Sequence, residues 1–434
     1  MAPPKSVVIV GGSLSGLIHG LYLKRHGSNV VILEQDPRNI RSSHNAGICF
    51  GPAAQEILSK YDDTGIQTSI ASVGTRIAFR KLEEFLRLNI RRNNTSWGLM
   101  YRVLRANFDG LASDAVPNPP PARDGDGKAE YLSGKKVTKL DYGQDQNDGG
   151  VTVWFVDEDG ATDSITADLV IGADGLHSTV RTLVEAPTKK EYSGYVTWRG
   201  TVPENELPGE MAGYFARRIT LNLLSRSYIV IYVIPRDAGS FEPGSRLINW
   251  VWYQNFADPS PELTQVLTDI NGQTHGNTVP AGLVRPEIWK HYLAARIGSM
   301  AAPVAKLIGS SEKVFVTKVN DSICDKAVYH DGKVLLVGDA LTTFRPHFAL
   351  ATEQGGRHCL GLGKVWNGEV SLEEWEKEAT KHATKTWLLS RVLGTWFLRG
   401  WVELLGTLWM YVVALVSLKL GGDGGYHGVV DVGV

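Results

Sequence analysis

The hydrophobic and polar positions at the start of the chain follow two different periods. Residues 6–10 (Ser-Val-Val-Ile-Val) and 29–33 (Asn-Val-Val-Ile-Leu) are short apolar runs typical of buried strands. Between them, a helical pattern ends near His26, and Gly27 stands where a glycine C-cap is expected. The pattern predicts a strand, a glycine-rich turn, a helix and a second strand.

The middle of the chain favours β-structure. Residues 151–156 and 164–171 predict strands on either side of a polar turn. In residues 247–253 the period of two predicts a strand from a sheet with one covered face. A short apolar run at residues 333–337 predicts a late buried strand, and the chain from residue 371 to about 421 has a helical pattern.

This order of elements predicts an α/β fold. A Rossmann-like nucleotide-binding domain is interrupted by a β-sheet substrate domain and followed by a helical C-terminal tail. We expect the nucleotide-binding domain to comprise residues 1–190 and 320–370, the substrate domain residues 191–319, and the tail residues 371–434.

The composition narrows the partners of this fold. The formal net charge is −1, so no excess of basic residues favours nucleic acid, and we expect no such partner. Cys49, Cys324 and Cys359 are odd in number and widely spaced, which predicts neither a disulfide framework nor a metal site. Because the N-terminus also lacks a signal-peptide pattern, we expect a cytoplasmic protein.

The turn after the first strand fits a dinucleotide phosphate. Gly11 allows a tight turn, Gly16 allows close packing of the helix on the strand, and Gly12 and Ser13 lie between them, where a hydroxyl could donate to phosphate. Glu34 ends the second strand and can accept hydrogen bonds from a ribose 2′-hydroxyl, which favours FAD or NAD over NADP at this site. A turn of no special purpose with a surface acid is the alternative interpretation.

Two later motifs bring in a resemblance to a known family. Residues 167–181 (Ala-Asp-Leu-Val-Ile-Gly-Ala-Asp-Gly-Leu-His-Ser-Thr-Val-Arg) resemble the Asp-Gly motif of the class A flavoprotein monooxygenases. Residues 334–340 (Val-Leu-Leu-Val-Gly-Asp-Ala), followed by Pro346, resemble their Gly-Asp motif. The order and spacing match that family over residues 6 to about 365. The resemblance implies an FAD-binding domain, FAD as the cofactor, NADPH or NADH as the reductant, and O2 as the oxidant.

The resemblance also assigns cofactor contacts to single residues. Asp174 would lie near the flavin pyrophosphate and the nicotinamide donor, and Asp339 would bind the ribityl chain. For Asp339, an N-cap on the following helix is an alternative that is compatible with that role. Gly47, in the segment Asn45-Ala-Gly-Ile, would contact the flavin through its backbone, and Thr352 would do the same.

Two features of these motifs leave choices open. A helix at residues 95–105 would supply an arginine to the cofactor, and we favour Arg105 over Arg102, with solvated helix charges as the alternative for both. In the Gly-Asp segment, Ala349, Ala351 and Glu353 stand at the family's Gly, Gly and Asn positions. The acidic side chain of Glu353 puts the flavin contact of that turn in question.

Three segments are similar to the branch of the family that includes 2,6-dihydroxypyridine hydroxylase. They are residues 95–105, residues 194–200 (Gly-Tyr-Val-Thr-Trp-Arg-Gly) and residues 345–347 (Arg-Pro-His). This similarity implies hydroxylation of an aromatic or similarly electron-rich small molecule. Arg199 and His347 are then the candidates for activating the substrate. A salt bridge within the sheet is the alternative for Arg199, and a structural role in the turn is the alternative for His347.

Other functions of a flavoprotein stay open at this point. Epoxidation or halogenation by a related enzyme is one, although Trp250-Val-Trp252 is followed by Tyr253 and not by the sequence usual in such halogenases. A flavin-binding redox protein without turnover is another. The sequence offers no hydrolase motif and no histidine pair with metal-ligand spacing, so we expect no metal.

The last helical stretch carries an uncharged apolar segment. Residues 404–418 contain no charge, and Trp396, Trp401 and Trp409 lie in or beside that run. Fifteen helical residues span ~22 Å, which is short of the ~30 Å hydrocarbon core of a bilayer. We therefore consider contact with a membrane surface, packing against the body of the protein, and burial in a homodimer as alternatives.

Overall fold

The computed structural model describes residues 2–41, 46–79, 84–89, 92–142 and 149–419. Asn45 of the expected flavin contact and residues 420–434 of the expected tail lie outside this part of the chain.

The strands are, in chain order, β1 (Ser6–Val10), β2 (Asn29–Leu33), β3 (Gly47–Phe50), β4 (Ile70–Ala71), β5 (Thr75–Ala78), β6 (Glu84–Leu88), β7 (Asn93–Ser96), β8 (Ala129–Leu132), β9 (Lys136–Tyr142), β10 (Val151–Val156), β11 (Thr162–Ala167), β12 (Leu169–Gly172), β13 (Thr188–Pro203), β14 (Ile219–Leu224), β15 (Ser227–Ile234), β16 (Leu247–Asn255), β17 (Thr278–Val279), β18 (Val314–Cys324), β19 (Val328–Tyr329), β20 (Val334–Leu336) and β21 (Thr342–Thr343). The α-helices are α1 (Leu14–Arg25), α2 (Pro52–Tyr61), α3 (Trp97–Asp109), α4 (Thr179–Leu183), α5 (Gly209–Ala216), α6 (Pro261–Leu267), α7 (Pro286–Ile297), α8 (Ala302–Gly309), α9 (Ala351–Trp366), α10 (Leu372–Leu398) and α11 (Trp401–Lys419).

The first domain is built on a six-stranded sheet with the order β19-β20-β12-β1-β2-β8. Strands β20, β12, β1, β2 and β8 run parallel, and β19 is antiparallel at one edge. The mixed α/β fold that the sequence predicts is confirmed, and so is the opening strand-turn-helix-strand unit, with Gly27 at φ 83° after α1. This parallel order brings the carboxyl ends of β1, β12 and β20 to one edge, where ligands bind in open α/β sheets.

One predicted strand is in fact two. The apolar run at residues 164–171 divides between β11, which pairs with β10 in a three-stranded sheet, and β12, which pairs with β1. The chain changes sheet at Asp168, whose carboxylate accepts the backbone N–H of Ser6 at 2.9 Å. Hydrophobic pattern alone could not show this change of sheet, because apolar side chains continue on both sides of Asp168.

A larger sheet has the strand order β17-β18-β13-β16-β15-β14-β5-β6, and β21 also pairs with β18. Most of its strands come from the middle of the chain, but β5 and β6 come from within the first 190 residues. Strands β13 and β18 pair along most of their length and connect this sheet to the first domain.

The large sheet is covered on both faces, so the expectation of a single covered face is wrong. Its outer face carries Trp198, Trp250 and Trp252, which pack against helices α6, α7 and α8. Side chains alternate along a strand, so the neighbouring positions point to the opposite side. We call that side the inner face, and it is defined by Tyr195, Arg199, Tyr228, Tyr232 and Asn249. The first domain and α10 cover it.

The two C-terminal helices pack on this body. Ser371 and Glu374 form a capping box at the start of α10. Leu398 at its end is fully buried with tyrosines of the inner face, and Ala414 of α11 is buried against Trp387 of α10. Within the described part of the chain, no helix is both long and apolar enough to span a bilayer.

Candidate active site

The turn between β1 and α1 depends on two glycines and leads into a helix start without a side-chain cap among the described residues. Gly11 has φ 103°, and a Cβ atom on Gly16 would lie 2.0 Å from the carbonyl oxygen of Gly11, so both positions require glycine. Ser13 is the N-cap of α1, yet among the described residues its hydroxyl makes no capping hydrogen bond. The first turn of α1 carries no acidic residue. This helix N-terminus is therefore suited to an anion.

Glu34 is buried beside this turn. Its Oε2 accepts the backbone N–H of Gly12 at 2.9 Å, and its Oε1 accepts that of Asp36 at 2.9 Å. Arg41 lies 3.3 Å from the same carboxylate. The hydroxyl of Tyr131 donates to the carbonyl of Gly12 at 3.0 Å. Glu34 thus fixes the glycine turn to the end of β2, and an open cavity of about 550 Å³ lies next to its carboxylate.

Arg105 is fully buried behind that turn. All five of its N–H groups donate within the protein, and the acceptors are Asp109, Asn39 and the hydroxyl of Tyr101. Its guanidinium also lies 3.6 Å from the ring centroid of Tyr131. In this arrangement Arg105 supports the residues around Gly12, and its direct contact with a cofactor stays a prediction.

Arg102, the other candidate on the same helix, points elsewhere. Its guanidinium pairs with Asp114 at 2.8 Å and with Asp237 at 3.5 Å.

Asp174 and Arg181 connect two motifs of the first domain. The Asp174 carboxylate accepts the hydroxyl of Ser178 and the backbone N–H groups of Thr179 and Val180, so it holds the start of α4. Burial raises the pKa of Asp174 above its ordinary value. Arg181 donates to the carbonyl of Ala340 at 2.8 Å, which joins the Asp-Gly segment to the Gly-Asp segment. This role of Arg181 is not evident from the motif, because it depends on a contact 159 residues away.

Asp339 follows β20 at the same edge of the sheet. Its buried Oδ1 has no hydrogen-bond partner among the residues that the structure describes. Burial raises the pKa of Asp339 to about 6, and the positive charge of Arg181 lowers it in part. A buried polar atom without a partner is rare and costly. This atom therefore marks a place where a hydroxyl-bearing ligand would be favourable.

The turn before α9 explains the unusual Glu353. Its carboxylate points to the N-terminus of α2, where it accepts the N–H of Ala53 at 3.0 Å and that of Ala54 at 3.3 Å. Ala349 takes the left-handed conformation, with φ 52°, which glycine adopts more easily. Thr352 is buried in the first turn of α9, where no side-chain cap occurs within the described residues. The acid thus caps α2, and the flavin contact of this turn stays a prediction.

Gly47 is held from both sides by the inner face of the large sheet. Arg199 donates from Nη2 to the carbonyl of Gly47 at 2.9 Å, and Asn249 accepts the N–H of Gly47 at 3.1 Å. Within the described chain, Arg199 Nε and Asn249 Nδ2 are buried without acceptors. Arg199 is not in a salt bridge with any described residue, so the alternative of a structural ion pair gains no support. Asn249 was not recognised in the sequence, because its role depends on a contact 202 residues away.

His347 lies at the other end of the inner face among three tyrosines. Its Nε2 is 2.7 Å from the hydroxyl of Tyr195, and its Nδ1 is hydrogen-bonded to the hydroxyl of Tyr228. Burial lowers the pKa of His347 to about 3, with a further contribution from the positive charge of Arg345. Burial also raises the pKa of Tyr253 to about 12. The ring is therefore neutral and both nitrogens are engaged.

Comparisons with known proteins agree with this arrangement. A family model described as an FAD binding domain matches residues 5–111, and one described as FAD binding domain-like matches residues 192–321. The chain is 28% identical over 376 residues to a 2,6-dihydroxypyridine 3-monooxygenase of Paenarthrobacter nicotinovorans, covering 85% of this chain and 86% of that protein. It is 27% identical over 224 residues to a 6-hydroxynicotinate 3-monooxygenase of Pseudomonas fluorescens, covering 50% and 52%.

Among solved structures, the chain resembles the 2,6-dihydroxypyridine-3-hydroxylase of Arthrobacter nicotinovorans. The TM-score is 0.76 at 26% identity, and the match covers 92% of this chain and 94% of that one. The chain is therefore an FAD-dependent monooxygenase, and it resembles the class A flavoprotein monooxygenases over most of its length. The resemblance stated from the sequence motifs is confirmed, and so are FAD as the cofactor and NAD(P)H as its reductant.

The residues of this site fit FAD. The uncapped N-terminus of α1 suits the pyrophosphate, and the acidic Glu34 lies where the adenosine ribose is expected. The unpartnered Oδ1 of Asp339 suits a hydroxyl of the ribityl chain. All three groups lie at the carboxyl edge of the same parallel sheet.

Proposed function

We propose that this monooxygenase hydroxylates an aromatic or heteroaromatic small molecule that binds between the cofactor segments of the first domain and the inner face of the large sheet. The observation that supports this most directly is the pair of hydrogen bonds that Arg199 and Asn249 form with the backbone of Gly47. Arg199 Nε and Asn249 Nδ2 are buried donors without an acceptor among the described residues, and they lie next to the backbone segment that is expected to meet the flavin. The relatives named for acting on dihydroxypyridine and hydroxynicotinate support the substrate class.

The chemistry of these donors suits an electron-rich hydroxylated ring. When bound, FAD would carry electrons from NADPH or NADH to O2, so that one oxygen atom of O2 is added to the substrate and the other leaves as water. The guanidinium of Arg199 is a permanent cation and favours a ring oxygen that carries negative charge. The amide of Asn249 offers a neutral donor beside it. Together they would orient the ring and stabilise its phenolate form.

The surroundings of Arg199 supply an apolar wall. Tyr232 of the inner face packs in one cluster with Cys49 of β3, while Val230, Leu221 and Ala349 pack against that cluster. Burial raises the pKa of Tyr232 well above its ordinary value, so its phenol stays protonated. A dry wall strengthens the interaction between Arg199 and an anionic ring, because the local dielectric is low.

His347 acts in this proposal as a positioning residue. Both of its ring nitrogens are engaged by Tyr195 and Tyr228, so it has no free nitrogen with which to take a proton from the substrate. Its imidazole would set the orientation of the tyrosines that continue the inner face away from Arg199. We also propose that Asp174, Thr352 and Gly47 bind the cofactor, because they lie in the Asp-Gly segment, at the start of α9 and in β3.

Two further expectations stay proposals. We propose the division into an FAD-binding domain (1–190 and 320–370), a substrate domain (191–319) and a tail (371–434), with β5 and β6 joining the sheet of the substrate domain.

We also propose that α11 brings the protein to a membrane surface, which its exposed tryptophans favour over a homodimer contact.

A substrate screen tests the proposed function. NAD(P)H oxidation by the FAD-loaded enzyme is measured with hydroxypyridines, hydroxynicotinate and hydroxybenzoates, and with the same rings lacking the hydroxyl group as matched controls. We expect stimulated oxidation by one hydroxylated class only, and an equal response to the rings without hydroxyl groups would contradict the proposal.

A further inference from the structure

Helix α11 presents a continuous apolar stripe to the outside. Exposed apolar side chains recur every three or four positions along one face, and they are Trp401, Val402, Leu405, Leu408, Trp409, Val412 and Val416; Met410 is exposed as well. Trp401 is 77% exposed and Val402 is 82% exposed, whereas Leu404 and Ala414 on the other side of the helix are buried against the body. A stripe of this kind on one face of a helix is typical of a helix that lies in a membrane interface.

A cationic cavity opens at the start of the same helix. It has a volume of about 270 Å³, and its lining includes Arg226, Arg296 and Arg399, with Glu403 as the carboxylate. Among the residues that the structure describes, none of these three guanidinium groups has a carboxylate oxygen within 4.0 Å. Three cations and one anion give the cavity a formal charge of +2. Its wall at Arg399 and Gly400 leads directly into the exposed Trp401.

A neighbouring cavity makes the contrast clear. It shares Arg399 and Glu403 with the first cavity, and its other charged lining residues are Arg345 and Arg391. There both guanidinium groups are already paired, Arg345 with Asp321 at 2.5 Å and Arg391 with Glu191. Among the described residues of these two cavities, the arginines without a carboxylate partner therefore line the first cavity, next to the apolar stripe.

We propose that this cavity binds the phosphate of an anionic phospholipid while the exposed stripe of α11 lies in the interface of the same bilayer. The inference rests on the membrane contact proposed above and adds the headgroup that the protein selects. Guanidinium groups bind phosphate by paired hydrogen bonds, and basic residues near an anionic surface each add about 1 kcal/mol. The tryptophans at the start of the stripe suit the headgroup level of the same interface.

The charges disfavour a second copy of the chain as the occupant of this surface. A symmetric dimer brings the same patch of both subunits together, so the arginines of one cavity would approach those of its partner. The helix also lies along the surface, because its buried side packs on the body and its 19 residues span only ~28 Å. A bilayer with anionic headgroups offers apolar contact to the stripe and phosphate groups to the arginines of the cavity.

Vesicle binding of the FAD-loaded full-length protein tests the proposal. Binding is compared for vesicles of phosphatidylcholine alone and of phosphatidylcholine mixed with phosphatidylglycerol. We expect a clear preference for the mixed vesicles, and about 30-fold weaker binding to them by the double variant Arg226→Gln/Arg296→Gln. The matched control is Arg217→Gln/Lys313→Gln, which removes two exposed cations from the opposite end of the large sheet and should bind normally. Retained FAD absorbance shows that each variant is folded.

A second variant separates the two parts of the proposal. Trp401→Ser/Trp409→Ser should weaken binding to both kinds of vesicle. Equal binding to neutral and anionic vesicles, or equal loss in the arginine variant and its control, would overturn the headgroup site and leave the membrane contact standing. If the protein binds neither vesicle, both ideas fail. If the tryptophan variant instead converts a dimer into a monomer in sedimentation equilibrium, the occupant is a second copy.

Discussion

Glu353 of α9 accepts the backbone N–H of Ala53 at 3.0 Å across 300 residues of sequence. The carboxylate thereby caps α2 and fastens it to the Gly-Asp segment. The helix that follows Gly47 and the helix that starts at Ala351 are held as one unit, on which the flavin contact of Thr352 is proposed to depend.

We predict that Glu353→Ala lowers stability by about 0.5–2 kcal/mol, since two N–H groups at a helix start lose their acceptor. Thermal melting of the FAD-loaded protein measures this. Glu378→Ala, on the exposed surface of α10, is the matched control and should melt normally. A normal melting temperature combined with lost turnover per FAD would show instead that the Glu353 carboxylate acts on the flavin.

Arg199 is expected to affect catalysis more than cofactor binding. We predict that Arg199→Ala lowers kcat/KM by about 100-fold, because a preorganised donor to a developing oxyanion is removed. FAD content should stay at the wild-type level. Steady-state NAD(P)H oxidation measures the change, and the control is Arg217→Ala, at an exposed position two residues before strand β14 of the same sheet. If Arg199→Ala turns over at the wild-type rate, with NAD(P)H oxidation coupled to hydroxylation as in the wild type, Arg199 only holds Gly47 in place.

Asp339 should give the FAD-free protein a distinctive pH dependence. Burial raises its pKa from 3.8 to about 6, so between these values the folded chain keeps a proton that the unfolded chain releases. The stability contribution of this group therefore falls as the pH rises through that window. We predict that Asp339→Asn melts at a higher temperature than the wild type near pH 7 but not near pH 4. It should also bind FAD more weakly. If the difference in melting temperature between Asp339→Asn and the wild type is the same from pH 4 to pH 7, Asp339 does not titrate in this range.

Glu34 joins the glycine turn to the end of β2, where we expect the adenosine ribose to bind. We predict that Glu34→Lys weakens FAD binding by ~1–3 kcal/mol, because Gly12 loses its acceptor and the ribose meets a cation. Titration of FAD into the FAD-free variant measures the loss. Glu130→Lys, an exposed charge reversal on the nearby strand β8, is the control. Equal affinities in the two variants would show that Glu34 only shapes the turn.

The opening βαβ unit could be predicted from the sequence because its signals are local. Gly11, Gly16 and Gly27 act within a few residues of the strands and helix that they join. The Asp-Gly and Gly-Asp motifs were equally accessible, since each follows directly on a buried strand.

The remaining parts of the site depend on contacts between distant segments. The side chains of Asn249 and Arg199 meet Gly47 only because the large sheet folds against the first domain. The five internal hydrogen bonds of Arg105 could not be seen in a helix pattern either. The tail is likewise integral to the body, because Gly394 packs against His347 and Leu398 is buried with the inner-face tyrosines.

Oxygen incorporation tests the central claim most directly. The FAD-loaded enzyme is supplied with NADPH or NADH, 18O2 and the hydroxylated rings that stimulate reductant consumption, and the products are analysed by mass spectrometry. We predict a hydroxylated product that carries one 18O atom and forms in step with NAD(P)H oxidation. Reductant consumption that yields only hydrogen peroxide, with no labelled product from any aromatic or heteroaromatic ring, would contradict the assignment as a hydroxylase of such rings.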